Sequence, residues 1–133
     1  MSLKRSAPLR RTRMKATRPK PSVPPSVRAL VVARSGGRCE AALPGCLGRA
    51  TDQAHRISRK MGGRRDGFDS AANTLHLCRA CHSWCHARPA EAKDLGLMLD
   101  EWQDPTREPV AYQNAGWVVL DNEGGLWPVG DAA

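Results

Sequence analysis

The cysteines are the feature that most restricts how this chain of 133 residues can fold. Four of the five stand in two pairs, because six residues separate Cys39 from Cys46 and Cys78 and Cys81 form a C-x2-C. Two pairs from distant segments, one of them tight, are the usual layout of a tetrahedral zinc site. Four thiolates fill the zinc shell and leave no position for water, so the sequence predicts a structural site.

The composition also favours a metal. Only six residues are aromatic, so the hydrophobic core is thin, and small folds of this kind often need a structural metal or disulfides. The N-terminus has no leading apolar stretch and no segment approaches the ~18 apolar residues of a membrane span. We therefore expect a protein of the reducing cytoplasm, with no membrane partner, where clustered cysteines bind metal rather than form disulfides.

Two histidines follow the C-x2-C and leave an alternative open. One cysteine pair could be incidental, with a histidine such as His82 completing the zinc shell. His82 and His86 are four residues apart, so on a helix they share a face and can bind one ion together. Cys85 lies off that face and is expected to be a half-buried, small apolar residue. A redox role for the C-x2-C would leave the other cysteines and the histidines without a function.

The net charge of +8 is unevenly distributed. Residues 1–39 contain eleven Lys or Arg and no acid, whereas from Pro89 onward nine acids outnumber Lys93 and Arg107. This asymmetry suits a polyanion bound at one end of the molecule, with nucleic acid favoured over membrane. A solvated basic face is the alternative that charge alone leaves open.

The pattern along the chain predicts a small α+β fold in three parts. Residues 1–25 are basic and proline-rich and are predicted to be a disordered arm. Ser26 is predicted to cap a helix that Gly36-Gly37 ends. Short strands at 50–58 and 74–77, a basic glycine-rich loop between them and a helix over about 80–87 complete a core at 26–90.

Residues 91–133 are predicted to form an acidic extension that packs on the core or flanks it. PAEAKDLGLML suggests a short helix running into a strand. PVAY and GWVVL are β-like, and DNEGG between GWVVL and LWPV predicts a hairpin turn.

The ordered set of histidines and asparagine resembles the HNH endonuclease family with its ββα-metal core. The N-x8-H-x3-H spacing of that family is matched by Asn73, His82 and His86, and His55 lies in the preceding strand. The segments that carry the resemblance are AHRISR (54–59), GG (62–63), NTLHLCRACH (73–82) and His86. The four cysteines and SGGRCE are similar to the zinc-stapled branch found in small phage and prophage proteins.

The resemblance implies a role for each matched residue. His55 would be the general base that deprotonates the attacking water, and Asn73 would hold the loop between the strands. His82 and His86 would bind one catalytic divalent cation (Mg2+, Mn2+, Ni2+ or Zn2+) beside the structural Zn2+. The products would carry a 5′ phosphate and a 3′ hydroxyl. The residues expected to contact DNA phosphates are Arg56, Arg59, Lys60, Arg64 and Arg65.

Position 54 departs from the family pattern. The residue before the general base is commonly Asp or His there and binds the metal, but here it is Ala54. Asp52 shares strand parity with position 54 and is an additional candidate ligand. Because it lies ~6.6 Å farther along, it is expected to need a bulge or a bridging water. The alternatives are that His55 itself is a ligand, or that the ion is held by His82, His86, water and substrate.

The sequence thus predicts a metal-dependent HNH DNA endonuclease, encoded by a phage or prophage and acting in the host cytoplasm. The alternative is a zinc-stapled nucleic-acid-binding module without catalysis, which Ala54 favours. DNA recognition is expected to be largely phosphate-directed. Analogy with small phage HNH proteins suggests a terminase or other packaging protein as partner.

Overall fold

The computed structural model describes residues 23–58 and 68–129, and the chain there is a small α+β structure, as predicted. The elements in chain order are α1 (Pro25–Ser35), β1 (Asp52–His55), β2 (Thr74–Leu77), α2 (Arg79–Ala87), α3 (Pro89–Asp94), β3 (Val110–Ala111), β4 (Trp117–Leu120) and β5 (Leu126–Pro128). Among the described helices, none has the length and apolar character required to cross a membrane. The predicted arm lies outside the described residues except for its last three, of which Val23 is buried.

Helix α1 begins earlier than predicted. Pro24 is its N-cap and Pro25 its first residue, with no side-chain hydrogen bond at the cap, so the prediction of a Ser26 cap is wrong. Proline suits the first helical position because its fixed φ matches the helix and its missing N–H has no partner to lose there. Gly36 ends the helix in the left-handed region at φ 63°, as predicted.

Strands β1 and β2 form an antiparallel pair that leads directly into a helix. Asp52 lies opposite Leu77, and His55 lies opposite Thr74. The predicted second strand is confirmed at Thr74–Leu77, and all four of its residues are buried. Only Cys78 separates β2 from α2, which contacts β1. The first turn of α2 therefore lies close to the Asp52 end of β1.

The C-terminal segment packs into the same hydrophobic core. β3, β4 and β5 form a three-stranded antiparallel sheet, and the predicted hairpin pairs Val119 with Trp127. The predicted helix is α3, but no strand follows it directly; the next is β3, at Val110. Buried side chains from both halves of the chain share one cluster, which includes Leu75, Leu77, Leu97, Met98, Val110 and Leu120.

Arg56 joins this extension to the strand pair and does not lie on the surface. Its side chain is 0% exposed and its guanidinium donates hydrogen bonds to backbone carbonyls of four residues, at 2.9–3.2 Å: Ala72, Gly96, Pro105 and Glu108. Burial lowers the pKa of Arg56 to about 10, so the group stays charged at neutral pH. The prediction that Arg56 contacts DNA phosphates is wrong, because these carbonyls use its donors inside the fold.

A second buried arginine ties α1 to the strands. Arg34 and Glu40 form a two-pronged ion pair at 2.8 and 2.9 Å, with both side chains 0% exposed. Arg34 also donates to the carbonyls of Ala71 and Thr74, and Glu40 accepts from the backbone N–H of His76. Because Glu40 follows Cys39 in sequence, this network fixes one end of the first cysteine loop against β2.

Candidate functional site

The four paired cysteines lie together. One ligand atom from each of Cys39, Cys46, Cys78 and Cys81 is within 4.8 Å of the others, and three of the residues are buried. The Sγ atoms of Cys46 and Cys78 are 3.8 Å apart. Zn–S bonds of about 2.3 Å in a tetrahedron put neighbouring sulfurs about 3.8 Å apart, so the sites of the four sulfurs fit a zinc ion. The cluster could therefore hold a structural metal.

Backbone N–H groups point at the sulfurs of this cluster. Cys78 Sγ accepts from the N–H of Leu47 at 3.4 Å and from that of Cys81 at 3.3 Å, and Cys46 Sγ accepts from Gly48. Burial acts to raise the pKa of Cys78, but these donors outweigh it and lower the pKa to about 7. At Cys78 the donors therefore favour the thiolate form that metal binding requires, whereas burial raises the pKa of Cys46 and Cys81.

Cys85 stands outside the cluster, as the sequence predicted. It is 4% exposed on the buried face of α2, and burial raises the pKa of its thiol to about 11. A neutral buried thiol packs as a small apolar group. The alternative in which His82 completes the zinc shell also finds no support, because the four cysteines lie together and His82 is not part of their group.

His82 and His86 bring two ring nitrogens together on α2. Their Nε2 atoms are 3.1 Å apart, and the ring centroids are 4.9 Å apart. Metal–nitrogen bonds are ~2.0–2.1 Å, so two nitrogens at this spacing suit adjacent positions around one ion. The pair could therefore hold a divalent cation with positions left for water or substrate.

Asp52 contacts this pair directly and needs no bulge to do so. Its Oδ2 lies 2.8 Å from His82 Nδ1 and 3.3 Å from Arg79 Nε, while Oδ1 accepts from the Thr51 hydroxyl at 2.9 Å. Burial acts to raise the pKa of Asp52, but His82, Thr51 and Arg79 together lower it, so the carboxylate is ionised. The regular register of β1 sets Asp52 beside α2, and the expectation that it needs a bulge or a bridging water to reach an ion stays a prediction.

His55 ends β1 beside two residues that the sequence did not single out. Its Nε2 lies 2.9 Å from Asp69 Oδ1, and its ring stacks on Phe68 with centroids 4.2 Å apart and planes at 19°. The side chains of His55 and Asp69 are 15% and 24% exposed, so the pair is only partly shielded from water. The one available signal for Asp69 was that it is one of two acids, with Asp66, in a largely basic loop.

Asn73 connects the two ends of the loop between β1 and β2. Its Oδ1 accepts from the N–H of Ile57 at 2.9 Å, and its Nδ2 donates to the carbonyl of Phe68 at 2.8 Å. The side chain is buried, at 1% exposure, so both bonds are shielded from water. These are amide hydrogen bonds of the kind expected for a residue that holds this loop and, through Phe68 and Asp69, the ring of His55.

Ala54 lies in β1 opposite Leu75 and is buried. Its methyl group has no ligand atom for a metal. The acid of β1 that approaches α2 is Asp52. Four of the predicted phosphate-contacting residues lie outside the described residues: Arg59, Lys60, Arg64 and Arg65.

No protein-family model, curated protein or solved structure matched this chain. Its function is therefore inferred from the geometry of the two clusters and from the chemistry of their side chains.

Proposed function

We propose that the chain is a metal-dependent DNA endonuclease of the HNH type, which hydrolyses phosphodiester bonds. The observation that carries the proposal is the meeting of the His82 and His86 nitrogens, 3.1 Å apart, on the helix that follows a strand pair containing His55 and Asn73. The order of β1, β2 and α2 supports the proposal, because it is the order of the ββα-metal core that the sequence resembles. The four-cysteine cluster beside them supports a small fold that is stabilised by metal.

His55 is the proposed general base. When Nε2 carries the proton that is donated to Asp69, the basic lone pair of the neutral ring is on Nδ1. A neutral imidazole in this position can accept a proton from the attacking water. Asp69 would fix the ring orientation and stabilise the imidazolium that forms, as a carboxylate does for other catalytic histidines.

Asn73 is the proposed positioning residue for this base. By bonding to Ile57 and Phe68 it fixes both sides of the loop that presents Asp69 to His55. His82 and His86 would hold the divalent ion, which, when bound, supplies Lewis-acid stabilisation of the charge on the phosphate and on the departing 3′ oxygen. The products would be a 5′ phosphate and a 3′ hydroxyl.

Phosphate contacts would come from exposed basic residues. Arg79 and Arg88 at the two ends of α2 have side chains that are 75% and 59% exposed. The net charge of +8 supports a polyanion as the substrate. Arg59, Lys60, Arg64 and Arg65 stay predictions of the same kind.

Relaxation of supercoiled plasmid by the zinc-replete protein tests the proposal. We expect nicking in the presence of Mg2+, Mn2+ or Ni2+, and its loss when a chelator removes these ions. Product ends should accept ligation without prior phosphorylation, because a 5′ phosphate and a 3′ hydroxyl are left. Activity that survives thorough chelation would refute the metal-dependent mechanism.

A second candidate is a zinc-stapled nucleic-acid-binding module. The buried Ala54 favours it, since this side chain supplies no ligand at a position where the family commonly has one. Binding of DNA in a gel-shift assay, without nicking in any of the three ions, would support this second function over the first.

A further inference from the structure

We propose that Asp52 is a positioning residue that orients the His82 ring toward an ion and is not itself a metal ligand. The inference rests on the proposed function only in using the same histidine pair. Asp52 would contact Nδ1 of the His82 ring, and the ion would bind on the opposite side of that ring, at Nε2.

The contact between Asp52 and His82 determines which nitrogen is available. An ionised carboxylate only accepts hydrogen bonds, so the 2.8 Å contact with Oδ2 requires a proton on His82 Nδ1. A neutral imidazole with its proton on Nδ1 has its lone pair on Nε2. That Nε2 is the atom that lies 3.1 Å from Nε2 of His86. The carboxylate thereby selects the tautomer that presents a lone pair toward the second histidine.

The other contacts of Asp52 oppose a role as ligand. Its Oδ1 accepts from the Thr51 hydroxyl at 2.9 Å, so both oxygens already have donors. Arg79 Nε lies 3.3 Å from the same Oδ2 that accepts from His82. A guanidinium beside this oxygen repels a second cation there, whereas it is compatible with a carboxylate that accepts from a ring N–H.

Backbone geometry explains why this acid lies at position 52. Asp52 pairs with Leu77, and α2 begins two residues after Leu77, so the first turn of the helix lies over this end of β1. The Asp52 side chain is 11% exposed, which limits competition from water for its hydrogen bonds. Ala54, two residues along the same face, is opposite Leu75 and is buried in the hydrophobic cluster.

Carboxylates that accept from the remote N–H of a metal-binding histidine raise the affinity for the ion. Loss of such a partner typically costs about 10–100-fold in metal affinity. The same loss leaves the number and type of ligands unchanged, whereas loss of a direct ligand changes both. This difference separates the two roles experimentally.

Ni2+ titration calorimetry on the zinc-replete protein, together with Ni2+ absorption spectra, tests the inference. We expect Asp52→Ala to bind Ni2+ about 10–100-fold more weakly than wild type. Asp52→Asn should have an affinity between those of Asp52→Ala and wild type, because its amide oxygen still accepts from Nδ1. The absorption band positions of the saturated variants should match wild type. Asp69→Asn is the matched control, since it changes a carboxylate at the other histidine, and it should bind Ni2+ as wild type does.

Nitrogen-detected NMR of the histidine rings provides a readout that is independent of the ion. We expect the metal-free His82 ring to carry its proton on Nδ1 in wild type and to shift toward the Nε2–H tautomer in Asp52→Ala. Wild-type Ni2+ affinity in both Asp52 variants, or shifted absorption bands at saturation, would overturn the inference. If Asp52→Ala fails to fold, Asp52→Asn decides by the same two measurements.

The two proposals fail in different ways. Weakened Ni2+ binding in the Asp52 variants of a protein that never nicks DNA would leave the positioning role intact and refute the nuclease. Nicking that depends on His82, with unchanged Ni2+ affinity in both Asp52 variants, would refute the positioning role and leave the nuclease intact.

Discussion

Single buried polar side chains hold the segments around His55 together. Arg56 donates to carbonyls of the extension, and Asn73 connects Ile57 with Phe68. A buried carbonyl that loses its donor keeps the full cost of desolvation, so the loss of either side chain should destabilise the fold more than its own size suggests.

Replacement of Arg56 by lysine should lower the free energy of unfolding by roughly 2–4 kcal/mol. A single ammonium nitrogen cannot reach carbonyls that now receive hydrogen bonds from three separate guanidinium nitrogens. Urea unfolding followed by circular dichroism measures the change. Arg49→Lys, at an exposed position, is the control and should stay within about 0.5 kcal/mol of wild type. Equal losses in the two variants would contradict the buried role of Arg56.

Asn73→Asp should reduce DNA nicking by roughly 100-fold and the free energy of unfolding by about 1–3 kcal/mol. The carboxylate still accepts from Ile57 N–H but has no donor for the carbonyl of Phe68, so the loop beside His55 is held at one end only. Nicking rates and urea unfolding measure the two effects. The exposed Asn114→Asp is the control, and an Asn73→Asp protein that nicks as fast as wild type would contradict the positioning role.

The groups of residues that could bind a metal were predictable where the spacing between the residues is enough to bring them together. The C-x2-C and the i, i+4 histidines need only local geometry, and the structure brings each set together. Arg56 and Asp69 were not predictable, because their partners lie 14 to 53 residues away in sequence. Nothing in the local sequence distinguishes Arg56 from the basic residues of the loop that follows it. Only tertiary contacts bury it.

At the scale of elements, the segment that follows α3 packs closely against the start of β3. Gly96 has φ +71°, and a Cβ there would overlap the carbonyl oxygen of Pro109 and lie 2.9 Å from Val110 Cα. The Gly96 carbonyl also accepts from Arg56, and Ala111 donates to the carbonyl of Leu95. Backbone atoms on both sides leave this segment little room to move.

Gly96→Ala should therefore be far more destabilising than an alanine at an open glycine. Strain at positive φ costs about 1 kcal/mol for alanine, and the overlap with backbone at Gly96 adds roughly 2 kcal/mol or more. Gly36→Ala is the matched control, because Gly36 has φ +63° and no atom of another segment lies within 4 Å of the place that an added methyl group would take. Thermal melts of both variants measure the difference, and similar melting temperatures would contradict the close packing of this segment.

Helices and strands were predictable where the sequence pattern is local. The predictions were wrong where the end of an element depends on residues and segments beside it. β2 and the β4–β5 hairpin follow from alternation and turn residues, and both are observed. The Ser26 cap failed because Pro25 can start a helix without any side-chain hydrogen bond. The strand expected after α3 is absent because the N–H groups of Leu97 and Met98 donate to the carbonyl of Ala92, at the end of the helix, and form no ladder with a neighbouring strand.

For the whole molecule, the cysteine cluster joins segments that are distant in sequence. It connects the loop at residues 39–46 to the junction of β2 and α2, on which the histidine pair depends. The hydrophobic cluster contains three of the four cysteines themselves, so metal loss should loosen the core around them.

Cys46→Ser should lower the zinc content below one ion per chain and lower the melting temperature, because the thiolate shell is incomplete. Cys85→Ser and His82→Ala are the controls, since neither residue belongs to the cluster. Elemental analysis and thermal melts measure both quantities. Loss of zinc in His82→Ala with retention in Cys46→Ser would contradict a four-cysteine site.

Single-turnover nicking of supercoiled plasmid, with zinc content and DNA affinity determined on the same samples, tests the nuclease most directly. With Mg2+, Mn2+ or Ni2+ present, the proposal predicts nicking by wild type and a rate at least about 100-fold lower for His55→Ala, at equal zinc content and equal DNA affinity. Wild-type protein that binds plasmid and never nicks it in any of these ions, or a His55→Ala variant as fast as wild type, would contradict it.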